Sequence, residues 1–150
     1  MCKYNIEELY NYCCKLLSIR DMSINEIKEK LRNKKAPEDI INLVVEKLIK
    51  NKLLDDERFA KYYIEKNLAK AKKLELILNE LVEKYKVDKT ALKETDLKKY
   101  KLIQYDYGLK FLEKKYKTFD RIRIYRFLSL RGFEEEEITQ IINKLERRYK

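Results

Sequence analysis

The 150-residue sequence predicts an all-α fold, and three observations lead there. Only two glycines (Gly108, Gly132) and one proline (Pro37) occur, so the turn residues that hairpins and phosphate-cradling loops require are missing. Leucine, isoleucine, lysine and glutamate dominate a chain that is 41% charged and 45% hydrophobic, good helix formers with enough apolar side chains for a core. Apolar residues recur at spacings of three and four nearly throughout, as in Leu9, Cys13, Leu16 and Leu17, which gathers them on one face of a helix.

Nine helices follow in order. The first spans 4–19. The second, 23–34, opens on Ser23 with Glu26 three residues on, the pattern of a capping box. The third, 37–51, has Pro37 at its first helical position ahead of Glu38 and Asp39. The fourth, 55–72, takes Asp55 as its cap, with Asp56 and Glu57 in the first turn, where carboxylates oppose the helix dipole. The fifth, 74–85, carries Ile77 and Leu81; a short sixth covers 88–94 and a long seventh 97–117. The eighth, 119–131, holds Ile124, Phe127 and Leu128 and ends at Gly132, a residue free to take a left-handed conformation. The ninth, 134–149, begins in the acidic run Glu134 to Glu137, again placed to cap.

The chain repeats itself. Ser23 to Leu48 can be laid on Asp120 to Leu145 without a gap: Ile27 falls on Ile124, Leu31 on Leu128, Ile41 on Ile138, Val44 on Ile141, Val45 on Ile142 and Leu48 on Leu145. A weaker third copy runs from about Asp55 to Asp96. The expected architecture is three tandem three-helix repeats, 1–54, 55–96 and 97–150, in one elongated, gently curved body. Such a body suits lying along another polymer better than enclosing a small substrate.

Chemistry is narrowly bounded. Histidine is absent, which removes the commonest general base and every Ser-His or Cys-His nucleophile, so no catalytic residues are expected. Cys2, Cys13 and Cys14 include no Cys-x-x-Cys pair and read as small hydrophobes of a reducing cytoplasm, so neither metal nor cofactor is expected. There is no apolar run of about 18 residues and no greasy segment after Met1, so neither a membrane span nor a secretion signal is expected.

The net charge is +10, and it is unevenly spread. Residues 98–131 hold eleven lysines and arginines against Asp106, Glu113 and Asp120, interleaved with Tyr100, Tyr105, Tyr107, Tyr116 and Tyr125. Residues 61–73 hold five lysines against Glu65. Basic groups among aromatic rings suit phosphate contact and stacking, although the tyrosine spacing also fits a core. No motif for sequence-specific readout is visible, so a nucleic-acid contact would be to the backbone and sensitive to salt.

Three segments carry a family resemblance: Leu17-Ser18-Ile19-Arg20-Asp21-Met22-Ser23 continuing through Glu26, Lys30 and Leu31; Leu53-Leu54-Asp55-Asp56-Glu57-Arg58-Phe59-Ala60; and Arg126-Phe127-Leu128-Ser129-Leu130-Arg131-Gly132-Phe133. In order and spacing these resemble the RecX regulatory proteins. The family's Lys-Gly pair is replaced by Lys34-Lys35 and Lys84-Tyr85, its glycine before the fifth helix by Lys72-Lys73-Leu74, and Lys86 looks like an insertion. These departures leave open whether the fourth and fifth helices are separated by a turn or nearly continuous.

The resemblance implies a fold of three tandem three-helix repeats and a non-catalytic, cytoplasmic modulator of the RecA recombinase. It implies a place in DNA repair, homologous recombination and the SOS response, usually by inhibiting strand exchange, ATP hydrolysis and coprotease activity. The partner it implies is the RecA filament on single-stranded DNA, lying around a monomer that bridges several protomers, with the backbone of single-stranded or duplex DNA as a further contact. The expected contact residues are Lys66, Lys70, Lys73, Arg121, Arg123, Arg126 and Arg131, where charge is least compensated. A helix-turn-helix regulator binding specific duplex as a dimer is the alternative, and an interaction scaffold whose charge only maintains solubility is another.

Overall fold

The computed structural model describes residues 5–149, and among them every regular element is helical. Eight α-helices follow in order: α1 (Ile6–Ile19), α2 (Ile24–Asn33), α3 (Glu38–Lys50), α4 (Asp56–Leu68), α5 (Leu74–Glu83), α6 (Glu94–Lys115), α7 (Arg121–Leu130) and α8 (Glu135–Arg148). The predicted helix at 88–94 is instead a single 3-10 turn, Lys89–Ala91. There Asp88 accepts hydrogen bonds from both the backbone N–H and the hydroxyl of Thr90, a local turn that competes with helix formation. The first helix was expected from residue 4, which lies outside the described residues, as do Met1 and Cys2.

The chain gathers into two compact units, one of residues 1–60 with 81–91, the other of 61–80 with 92–150, and the boundaries fall inside α4 and α5. In the first unit α1 and α2 pack on α3, burying Cys13, Ile27, Leu31, Ile41, Val44 and Leu48. In the second, α6 and α7 pack on α8, burying Leu112, Ile124, Leu128, Ile138, Ile142 and Leu145. Cys13 belongs to the first core, and burial pushes its thiol up to about 11, in keeping with an inert hydrophobe.

The caps follow their sequence signals. Ser23 and Glu26 form a reciprocal capping box, and Asp55 accepts the Glu57 and Arg58 N–H groups at the start of α4. Glu137 returns to the N–H of Glu134 at the start of α8. Pro37 sits one position earlier than expected, as the N-cap rather than the first helical residue of α3.

Helices α2 and α7 end identically. Lys35 N–H donates to Arg32 C=O and Ala36 N–H to Leu31 C=O; Gly132 N–H donates to Ser129 C=O and Phe133 N–H to Leu128 C=O. Both turns need a left-handed residue, φ 63° at Lys35 and 97° at Gly132. Ala71 takes the same conformation after α4, with Lys72 N–H on Asn67 C=O, so α4 and α5 are separated by a turn. After α5 the left-handed residue is Lys86, and Val87 N–H reaches back six residues to Leu81 C=O instead of five, the length of one inserted residue.

Candidate interaction surface

All seven sequence-predicted contact residues lie in the second unit, and the structure treats them unequally. Helix α7 is set by Asp120, whose carboxylate accepts Arg123 N–H at 3.2 Å, and by the left-handed Gly132 at its end. With Ile124 and Leu128 turned into the core, Arg121, Ile122, Arg123, Tyr125 and Arg126 are left on the exposed side.

Arg121 meets Glu146 at 3.3 Å in an exposed ion pair. Arg123 rests over the Tyr116 ring at 5.5 Å, and Arg131 over Phe127 at 4.8 Å. Lys115 is over both rings, so three cations share two aromatic faces. Arg126 makes no ion pair among the described residues and is exposed. Lys66 and Lys70 are exposed on the second half of α4 and the turn after it, Lys66 lying 5.9 Å from the Tyr62 ring.

Lys73 is different. Only 8% exposed, it donates to Glu137 at 2.7 Å, with Glu75 at 3.6 Å, and its backbone N–H donates to Arg131 C=O. Burial works against the ammonium, yet the hydrogen bond and charge of Glu137, with Glu75 and Glu134 behind it, hold Lys73 above the ordinary lysine value. Burial likewise works against the Glu137 carboxylate, and its bonds from Lys73, Tyr105 and the Glu134 N–H hold it below its ordinary value. Next to this pair Gln104, 4% exposed, accepts Leu74 N–H at 3.1 Å. The Lys73 charge is thus committed within the unit, where it joins the start of α5 to α8.

The tyrosines divide as well. Tyr100 and Tyr116 are buried, Tyr105 donates its hydroxyl to Glu137, and burial with that bond pushes its pKa up to about 12. Tyr107 is half-buried, and Tyr125 alone among the five is exposed, at 39%. It lines a groove between α7 and α8 of about 460 Å³ with Arg121, Ile122, Arg126, Thr139 and Ile142. Sequence reading did not single out Ile122, Thr139 or Ile142 as a surface. The signal was present in Ile122, which falls out of phase with the buried Ile124 and Leu128 and is 64% exposed.

The segment Leu53 to Ala60, the most specific part of the sequence resemblance, acts as a clamp in the first unit. Asp55 caps α4, and Asp56 accepts Ile24 N–H at 2.8 Å, 32 residues away in sequence. Arg58 donates to the carbonyls of Lys52 and Leu53 and pairs with Asp21 at 3.4 Å. Among the described residues there is no cluster of ligand-type side chains that could hold a metal ion, and no helix is long and apolar enough to cross a membrane.

These features define a helical-repeat protein with a cation-rich face. Residues 10–48 match the family model described as RecX, first three-helix domain. The Regulatory protein RecX of Halalkalibacterium halodurans is 35% identical over 86 residues, which is 57% of this chain and about a third of that protein's length. A crystal structure of RecX from Lactobacillus salivarius aligns over 95% of this chain and 97% of its own with a TM-score of 0.67 at 23% identity. A second crystal structure, of regulatory protein RecX, aligns over 95% of this chain and 66% of its own with a TM-score of 0.58 at 18% identity. Those two likenesses show the fold. The sequence matches add a similarity to RecX over residues 10–48 and over an 86-residue stretch.

Proposed function

We propose that this chain is a cytoplasmic, non-catalytic regulator that binds the RecA filament on single-stranded DNA and lowers its strand-exchange, ATPase and coprotease activity. Its fold is read as three repeats, 1–54, 55–96 and 97–150. The observation that carries the reading is the uncompensated charge of α7 in a chain whose fold and partial sequence are similar to RecX proteins. Arg121, Arg123 and Arg126 project from one ten-residue helix with a single exposed carboxylate partner between them. Charge so placed is favourable when an anionic partner lies against it. Lys66, Lys70 and Arg131 add to the contact from the same unit, whereas Lys73 supports it from within. A monomer touching several filament protomers gains avidity, and so acts below one copy per RecA.

The test is co-sedimentation of the chain with RecA, with and without single-stranded DNA and a non-hydrolysable nucleotide analogue. Retention by the assembled filament but not by free RecA is expected. Equal retention by both, or tight dimeric binding to one duplex sequence, contradicts the reading.

A further inference from the structure

The α7–α8 pair leaves open a surface that its counterpart in the first unit has covered. In that unit the start of α4 lies over the start of α2. Asp56 accepts Ile24 N–H at 2.8 Å, its carboxylate also feels the Lys28 charge, and Ile24, Asn25 and Lys28 are all half-buried. The covering segment is short, acidic and apolar: Leu53-Leu54-Asp55-Asp56-Glu57, with Leu54 buried. The 97-residue offset that superposes the two helix pairs carries positions 24, 25 and 28 to Arg121, Ile122 and Tyr125. Among the described residues nothing covers these. Ile122 is 64% exposed, and the groove of about 460 Å³ opens beside it.

We propose that this groove docks an acidic, leucine-bearing segment of a partner protein, in the way that the start of α4 docks on α2. The lining sorts by chemistry. Ile122 and Tyr125 offer exposed apolar surface above the buried Ile142, while Arg121 and Arg126 stand at the edge as cations. Arg121 keeps further N–H donors beyond its contact with Glu146, and Arg126 has no ion pair among the described residues. Nucleic-acid phosphates would satisfy the arginines but leave the exposed Ile122 without an apolar partner, and burial of such side chains is what drives protein association. Two guanidinium groups beside an apolar floor fit carboxylates flanking a leucine, paired by parallel hydrogen bonds. The proposal rests on the filament reading, in which the protein of the filament supplies the segment.

The test titrates the isotopically labelled chain with the blocked pentapeptide acetyl-Leu-Leu-Asp-Asp-Glu-amide, and separately with its Leu-Leu-Lys-Lys-Lys counterpart and a thymidine oligonucleotide, by amide NMR. The acidic peptide is expected to shift residues 121–126 and 139–142, the other two probes to leave them unmoved. Ile122→Ser, at an exposed position, is expected to weaken the acidic peptide roughly tenfold, as loss of one buried aliphatic side chain does, with thermal unfolding unchanged. Shifts of those residues by the oligonucleotide and not by the acidic peptide overturn the proposal, as does peptide binding indifferent to Ile122→Ser. Filament co-sedimentation separates the two levels. If the wild-type chain and an Ile122→Ser, Tyr125→Ser variant sediment equally with RecA filaments, the groove proposal falls and the filament reading stands. If the peptide binds as expected but the wild-type chain does not sediment, the groove stands and the filament reading falls.

Discussion

Helix pairs α2–α3 and α7–α8 are two renderings of one design, and they differ most on their outer faces. Most of their buried positions correspond, Ile27 with Ile124, Leu31 with Leu128, Ile41 with Ile138 and Leu48 with Leu145, while the buried Ile40 falls on the half-buried Glu137. Their turns carry the same pair of hydrogen bonds at the same left-handed position. The outer faces have diverged. On α2 the arginine is neutralised within its own pair, Arg32 bonding Glu29 on α2 and Glu38 on α3, and Arg20 just before α2 pairs with Glu26. On α7 the acids of α2 are gone, with Arg123 in place of Glu26 and Arg126 in place of Glu29, while Glu135 keeps the place of Glu38. Packing and turn geometry hold the fold, so the solvent face is free to acquire a second role.

If the two cores are equivalent, breaking them costs the same. Leu31→Ala and Leu128→Ala each remove a fully buried side chain and are expected to destabilise by about 2–5 kcal/mol, measured by urea denaturation. A cost at Leu128 under about 1 kcal/mol would mean that the second pair is loosely packed and the comparison fails.

The next effect separates the units by pH. Glu137 is held below its ordinary value, so its contribution is present above about pH 4.5 and lost as pH falls through its folded pKa. Lys73 is held above its ordinary value, so its contribution is present below about pH 10.5 and lost as pH rises through its folded pKa. Asp56 has the opposite sign to Glu137: burial, despite the Ile24 N–H, raises it above the ordinary aspartate value, so its charge costs stability once pH rises past that range. Glu137→Gln is expected to lose about 1–3 kcal/mol at neutral pH and little at pH 3. Asp56→Asn, which keeps an oxygen for Ile24 N–H, is expected to be neutral or stabilising at pH 7. Identical pH profiles for the two variants would contradict this assignment.

The smallest effect concerns the shared turn. Lys35 holds a left-handed conformation that glycine adopts freely, so Lys35→Gly is expected to stabilise by about 0.5–1 kcal/mol. Gly132→Ala is expected to cost about 1–2 kcal/mol, because φ is 97° and a Cβ there would meet Leu76 Cδ2 at 3.3 Å. Thermal melts of both variants check the signs.

Much of this was legible in the sequence because it is local or periodic. The capping box at Ser23, the cap at Asp55, the left-handed Gly132 and the offset that aligns Ile27 with Ile124 all follow from residue type at fixed spacing. What escaped depends on contacts distant along the chain. The fourth helix was expected to reach residue 72 but ends at Leu68, where Ala71, buried against Gly108, takes a conformation that composition does not announce. Helix α6 starts three residues early, at Glu94. Charge counting found the basic stretches, yet it could not tell Lys73, bonded to Glu137 64 residues away, from Lys70 at the surface. Nor could it see that Ile142, buried in the core, also floors a groove whose rim is Arg121 and Arg126.

The central claim, that α7 rather than its counterpart meets the filament, is tested by matched charge reversals read as inhibition of RecA's DNA-dependent ATPase across a salt series. Arg121, Arg123 and Arg126 all changed to glutamate, with helical content unchanged by circular dichroism, are expected to raise the concentration needed for half-inhibition about a hundredfold and to flatten its salt dependence. Lys30 and Arg32, both exposed, changed to glutamate on α2 break only exposed pairs and are expected to shift it by less than about threefold. A folded α7 variant that inhibits as well as the wild type, or an α2 variant that loses as much, would contradict the account.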